Sequence, residues 1–169
     1  EHRWHTAVLK PTVGLGAAYV RRVPLDELES ALAGLLAERP EHDYLIQPFI
    51  ENVVTEGEWS FVYFDGQLSH VLLKQPAPDD YRVQGIYGGT IRVAEPSGDD
   101  RSQAEAMLAK LPFDLLYARL DFVRVGGYLA VIEVELIEPI FSFNLVPESI
   151  ARLVAATQSE LETKQLRKK

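Results

Sequence analysis

Ala118-Arg119-Leu120-Asp121-Phe122-Val123, then Gly126-Gly127, then Tyr128-Leu129-Ala130-Val131-Ile132-Glu133-Val134-Glu135-Leu136 is the stretch whose reading decides the fold. Apolar and charged residues alternate on either side of a glycine turn, the pattern of a hairpin with one wet and one dry face. Its register decides where the acids go. A two-residue turn at the glycines would set Asp121 opposite Ile132 and scatter charge over both faces. A three-residue loop over 126–128 sets Asp121 opposite Glu133 and Arg119 opposite Glu135, and this register is the expectation. Leu120, Phe122, Ile132, Val134 and Leu136 then face a core, while Arg119, Asp121, Glu133 and Glu135 share the other side. Carboxylates gathered on adjacent strands repel unless a cation lies among them, and hard oxygen ligands suit Mg2+ carrying a nucleotide phosphate. The competing reading is a solvated face on which Arg119 neutralises its neighbours. Leu136-Ile137-Glu138-Pro139 keeps the strand apolar and acidic to its end, which favours the metal site.

Composition bounds the remainder. With 169 residues and 47% apolar content, one core and one domain are expected. The absence of cysteine excludes a disulfide framework and a thiolate metal or redox site. A formal net charge of −8 argues against a nucleic-acid surface, and the only basic run is Lys164 to Lys169, read as a helix end. No apolar run reaches membrane-spanning length and no signal-like segment opens the chain, so a cytoplasmic protein is expected. The chain begins without Met and almost directly in a strand, which reads as a fragment of something longer.

Ala7-Val8-Leu9-Lys10 and Ala18-Tyr19-Val20-Arg21-Arg22 read as a hairpin around a loop bearing Gly14 and Gly16. Asp26 with Glu29 resembles a capping box, and Leu28, Leu32, Leu35 and Leu36 form a helical stripe that stops before Pro40. Tyr44 to Ile50 is expected as a buried strand, at an edge or bent near Pro48. Glu58 to Phe64 and Gln67 to Lys74 flank Asp65-Gly66, a favoured hairpin turn. Residues 75–98 read as a loop with a short strand. Asp99 or Asp100 is expected to cap a helix through about Leu111, and Pro147 to open a last helix toward Lys164. Strands and helices in this order predict an α+β fold, an antiparallel or mixed sheet backed by helices.

Neither a P-loop nor a dinucleotide-binding glycine motif is present, because Gly14-Leu15-Gly16 leads into a strand and not a helix. The ordered set Val8-Leu9-Lys10-Pro11, Leu45-Ile46-Gln47-Pro48-Phe49-Ile50, Gly57-Glu58-Trp59-Ser60, Arg82 before Gly88-Gly89, Arg119-x-Asp121 and Glu133-x-Glu135 resembles the C-terminal part of ATP-grasp ligases of the glutathione-synthetase-like branch. Glu133-Val134-Glu135-Leu136-Ile137-Glu138-Pro139 is similar to the cyclo-ligase group of cycloserine biosynthesis. The resemblance covers nearly the whole chain. It implies that residues 1–169 are a nucleotide- and metal-binding fragment, with an upstream substrate domain and a further phosphate-contacting lysine not included, so that the isolated fragment turns over weakly or not at all.

The resemblance implies ATP and Mg2+ as cofactors, with Mn2+ as an alternative ion. It implies Lys10 at the nucleotide phosphates, and Gln47, Pro48, Phe49 and Ile50 as the hinge that reads adenine. Glu58 is assigned either to ribose or to a strand end. Asp121, Glu133 and Glu135 are the metal ligands, Glu133 bridging two ions; Glu135 replaces the asparagine of many relatives and leaves the number of ions open. Arg82 and Lys74 would supply positive charge to the transferred phosphoryl group. Activation of a carboxylate as an acyl phosphate, followed by attack of an amine-type nucleophile, needs no side-chain nucleophile. The alternative is a nucleotide-binding or interaction module that keeps the ATP-grasp shape without ligation. Small-molecule acid and amine substrates and the missing N-terminal region are the partners implied, with no nucleic acid or membrane; substrate identity and a homo-oligomer are left open.

Residue by residue the blander assignments are a surface lysine at position 10, an Arg82 paired with Asp79 or Asp80, and glycines serving turn geometry alone. His2 and His5 read as part of a chain terminus, and His42 and His70 have no catalytic partner in the sequence.

Overall fold

The computed structural model describes residues 4–14 and 16–166; His2, Leu15 and the basic residues after Leu166 lie outside them. Length and apolar content predicted one core, whereas the chain divides into two compact units, Glu1–Glu51 and Asn52–Lys169, each with apolar clusters of its own. Among the described residues no helix is long and apolar enough to cross a membrane.

In the first unit, strand β1 (Thr6–Pro11) lies between β2 (Arg21–Pro24) and β3 (Tyr44–Pro48), with both pairings antiparallel. Helix α1 (Leu28–Glu38) covers one face through Leu28, Ala31, Leu32 and the fully buried Leu35, which meet Ala7, Leu9 and Val23. The capping box expected at Asp26 does not form. A single 3-10 turn over Leu25–Glu27 precedes the helix, and Glu27 stands at the N-cap without a side-chain bond. Strand β3 lies at the sheet edge, one of the two positions expected from Pro48, but it is not buried: among the described residues it pairs only with β1, and Leu45 and Ile46 are exposed. Pro48 ends it, where no ladder donor is needed.

In the second unit, a short helix α2 (Asn52–Thr55) precedes a five-stranded antiparallel sheet in the order β6-β5-β4-β7-β8. These strands are β4 (Glu58–Phe64), β5 (Gln67–Gln75), β6 (Thr90–Val93), β7 (Tyr117–Val125) and β8 (Tyr128–Glu135). Alternation along β4 sends Phe61 and Tyr63 to one face and Val62 and Phe64 to the other. The first face packs on helix α3 (Gly98–Leu108) through Ala104, Met107 and Leu108, with Phe61 and Phe122 edge to face at 5.5 Å. The second packs on helix α4 (Ser149–Leu166) through Leu153 and Ala156, together with Phe141 and Phe143. The α3 N-cap is Ser97, in a capping box with Asp100 at its third position; Asp99 and Asp100 were each expected as the cap itself. Asp100 is in fact committed to Arg124 as well, which bonds it through both guanidinium Nη atoms at 2.8 and 3.0 Å.

Two hairpins build the centre of this sheet, and each carries one extra residue. The β4–β5 turn is Asp65-Gly66, with φ of +48° and +71°, the mirror-image geometry that suits strand twist. The register then shifts between Val62 and Tyr63, leaving Ser69 as the extra residue on β5. The β7–β8 turn is the two-residue Gly126-Gly127, closed by the pair Val125 and Tyr128, and not the expected three-residue loop. A second shift leaves Ile132 as the extra residue, and beyond it Asp121 does face Glu133 and Arg119 does face Glu135. The expected pairing therefore stands for a different reason: a bulge, and not loop length, corrects the register.

Gly57, immediately before β4, has φ of +116°, and a Cβ there would collide with the Lys74 carbonyl oxygen. Gly57→Ala is expected to lower stability by about 3 kcal/mol, read as a reduced denaturation midpoint at unchanged slope.

Candidate functional site

The two bulges bring charge together on the α4 side of the five-stranded sheet. Past Ser69, Glu58 pairs with Lys74; β4 places Ser60 opposite Asp121; past Ile132, Asp121 and Arg119 meet Glu133 and Glu135. Lys74 Nζ donates to Glu58 Oε1 at 2.7 Å and to Asp121 Oδ2 at 3.1 Å. Arg119 donates through Nε to Asp121 Oδ1 at 3.0 Å and through Nη2 to Oδ2 at 2.8 Å. Its Nη2 also lies 2.5 Å from Glu135 Oε2 and 3.9 Å from a Glu133 oxygen. The contact with Glu135 is poorly directed, so this buried oxygen accepts no hydrogen bond.

Burial and charge act in opposite directions on these groups. Asp121 is fully buried, which by itself would raise its pKa, yet Lys74 and Arg119 together hold it below the usual carboxylate range. Burial pushes Glu58 up to about 7 against the pull of Lys74, with Asp121 adding to the rise. Burial also raises Glu135, opposed by Arg119 and reinforced by Glu133 and Asp121. Lys74 keeps its proton, because Glu58 and Asp121 more than offset the burial that would lower it. The shared proton economy therefore falls on Glu58, since Asp121 has two cations and Glu58 has one. In all, four carboxylates face two cations.

The sequence-assigned residues divide between the two units. Lys10 is half-buried on β1 opposite Leu45, and Gln47 and Pro48 end β3. Phe49 bonds back to Thr6 O through its N–H at 3.0 Å and carries the Arg22 guanidinium over its ring at 3.8 Å. In the second unit Glu58, Lys74, Asp121, Glu133 and Glu135 converge. Arg82 stands in the loop after β5, bonded to Asp80 and stacked on Tyr87, the pairing that the blander assignment foresaw. Among the described residues no three His, Asp or Glu side chains close into a metal cluster. Arg119 explains this, because its guanidinium lies among the carboxylates and turns them toward itself.

The donor set nonetheless fits an oxygen-seeking divalent ion. Glu133 is more than half exposed, Glu135 Oε2 is ion-paired to Arg119 without a directed hydrogen bond, and the carboxylates outnumber the cations. Sequence reading missed the extent of the Arg119 contacts and the Lys74 bridge from Glu58 to Asp121. Both depend on bulges, for which the only sequence signal was the misfit between turn length and polar alternation.

No family model matches the chain. It is 30% identical to the cycloserine biosynthesis protein DcsG of Streptomyces lavendulae, over 92% of this chain and 55% of that protein. The crystal structure of D-cycloserine synthetase DcsG superposes with a TM-score of 0.77 at 28% identity, over 93% of this chain and 56% of that one. The glutathione synthetase of Rhodopseudomonas palustris is 31% identical over 75% of this chain and 40% of that protein. The ATP-grasp ligase PsnB, solved with a precursor variant, Mg and ADP, shares the fold at a TM-score of 0.56 and 20% identity, over 90% of this chain and 47% of that one. The chain thus spans about half the length of the curated relatives it matches.

Glu58 generates a test. Its folded pKa lies above the unfolded value of about 4.3, so the folded state binds the proton more tightly and stability declines as pH rises from about 4.5 to 7. His70 slopes the other way, because burial depresses its pKa. Glu135, also raised by burial, slopes the same way as Glu58, so denaturation midpoints of Glu58→Gln should decline less steeply than those of wild type over this window.

Proposed function

From the membership of this chain in the ATP-grasp superfamily, to which it belongs by sequence and fold, we propose that it is the nucleotide- and metal-binding part of an ATP-dependent ligase that activates a carboxylate. The observation that carries the reading is the acidic sheet face of the second unit, with four carboxylates gathered against two cations. Such a face is stable only with its surplus charge balanced.

Glu133 and Glu135 would hold Mg2+ most readily, the first for its exposure and the second for its place two residues along the same strand, beside Arg119. Asp121 completes the set while fixing Arg119 and Lys74 with both of its own oxygens. A bound dication supplies positive charge beside phosphate oxygens. Lys74, charged and nine-tenths buried, adds a fixed positive charge to the same face. In the first unit, Lys10 is assigned to nucleotide phosphates and residues 47–50, at the end of edge strand β3, to adenine.

The chemistry proposed is attack of a substrate carboxylate oxygen on the γ-phosphorus, releasing ADP and leaving an acyl phosphate. An amine-type nucleophile then displaces phosphate at the carbonyl carbon. These side chains contribute position and charge and form no covalent bond. A second reading, a nucleotide-binding module without ligation, draws on one observation: Lys74 and Arg82 are both engaged by internal carboxylates.

Calorimetry of ATP binding with and without Mg2+, on wild type and Glu133→Gln, tests the site. The expected result is Mg2+-dependent binding that weakens roughly tenfold or more in the variant. Equal affinity in both, with no Mg2+ requirement, would reject the acidic face as the metal site. Acid-dependent ADP formation by the full-length protein separates the ligase from the non-ligating module.

A further inference from the structure

We propose that Asp80 and Tyr87 are positioning residues that hold the Arg82 guanidinium with one edge open to an oxyanion, the terminal phosphoryl group of a nucleoside triphosphate. The inference rests on the ligase reading and adds to it two residues that the resemblance does not assign.

The geometry is that of a side chain fixed on two sides. Asp80 Oδ1 accepts from Arg82 Nε at 3.1 Å and Oδ2 from Nη2 at 2.8 Å, a two-point bond along one edge of the planar fork. Asp80 cannot swing away, because Oδ1 also accepts the backbone N–H groups of Tyr81 at 2.7 Å and Arg82 at 2.9 Å. The Tyr87 ring lies against the guanidinium face, 3.6 Å from Cζ to the ring centre. Tyr87 is fixed in turn by the 3-10 turn Gly85–Tyr87. Gly88 closes that turn at φ of +81°, and Gly89 packs so tightly on the Val83 carbonyl that a side chain there would collide with it.

What remains of Arg82 is the Nη1 edge, which makes no hydrogen bond among the described residues, on a side chain that is 32% exposed. An arginine whose rotamers are already restricted and whose outer edge is unbonded loses little freedom when it takes up an oxyanion. The opposite role for Asp80 is that of an internal anion competing with phosphate for the fork. The two roles predict opposite signs.

The test compares ATP with ADP, both with Mg2+, by calorimetry on the full-length protein, because the gap between them reports contacts to the terminal phosphoryl group. Arg82→Gln is expected to lower ATP affinity about tenfold and ADP affinity by less than about twofold. Asp80→Asn keeps an oxygen for the two backbone donors and removes the charge from the fork; with Tyr87→Leu it should lower ATP affinity roughly three- to tenfold, ADP again little changed. Tyr87→Phe should bind like wild type, and Asp80→Asn added to Arg82→Gln should cost nothing further.

Tighter ATP binding by Asp80→Asn, parallel losses for ATP and ADP, or an undiminished Asp80 effect without Arg82 would each overturn the proposal. A wild-type gap in Arg82→Gln would overturn it as well. The ligase reading would then still stand or fall on the separate Mg2+ dependence at Glu133.

Discussion

Asp121 has no solvent exposure at all, and its charge is tolerated only because Arg119 grips one side while Lys74 reaches it from two strands away. A carboxylate taken wholly out of water without such partners would cost several kcal/mol and would hold a proton instead. This one anion therefore fixes two long cations. Those cations in turn set the positions of Glu58 and Glu135, so that four strands, β5, β4, β7 and β8, are tied by charge across this face beside the buried Leu72.

The same sheet face is apolar at its other end, where Val62 and Phe64 meet Leu153, Ala156 and the Phe141–Phe143 segment. His70 sits beside this apolar end and bonds Phe141 O at 2.8 Å, which ties the chain after β8 back to β5. On the opposite face Arg124 bonds Glu56 and Asp100, and Trp59 donates to Glu56 at 2.6 Å. Together these link the segment before β4, the start of α3 and the end of β7. The polar cluster on one face thus stands on strands whose other face is an ordinary packed core, with Phe61, Phe122 and Ala104 fully or almost fully buried. That rigidity is what an electrostatic site requires, since its charges must be in place before a ligand arrives.

Much was legible in the chain. The Asp65-Gly66 hairpin, the leucine stripe of α1 and the antiparallel α+β character follow from local alternation and turn chemistry, whereas Asp121 comes opposite Glu133 only through the bulge at Ile132. Misread elements share a cause. The α1 N-cap makes no side-chain bond and the α3 cap is the reciprocal Ser97–Asp100 box, and an acidic residue near a helix start does not by itself say which position it takes. The burial of β3 depends on where that strand lies in its sheet, which its own apolar residues do not encode.

Sequence by itself determined that acids alternate with apolar residues on late strands, because side-chain direction in a strand has a period of two and is a local property. Only the tertiary structure decided which acid meets which cation. Continued without interruption, the two turn registers would have set Glu58 opposite Leu73 and Asp121 opposite Ile132; one extra residue at Ser69 and one at Ile132 shift them to Lys74 and Glu133. A bulge forms where pairing on one strand and burial on both faces are satisfied together, and those conditions exist only once the sheet has assembled.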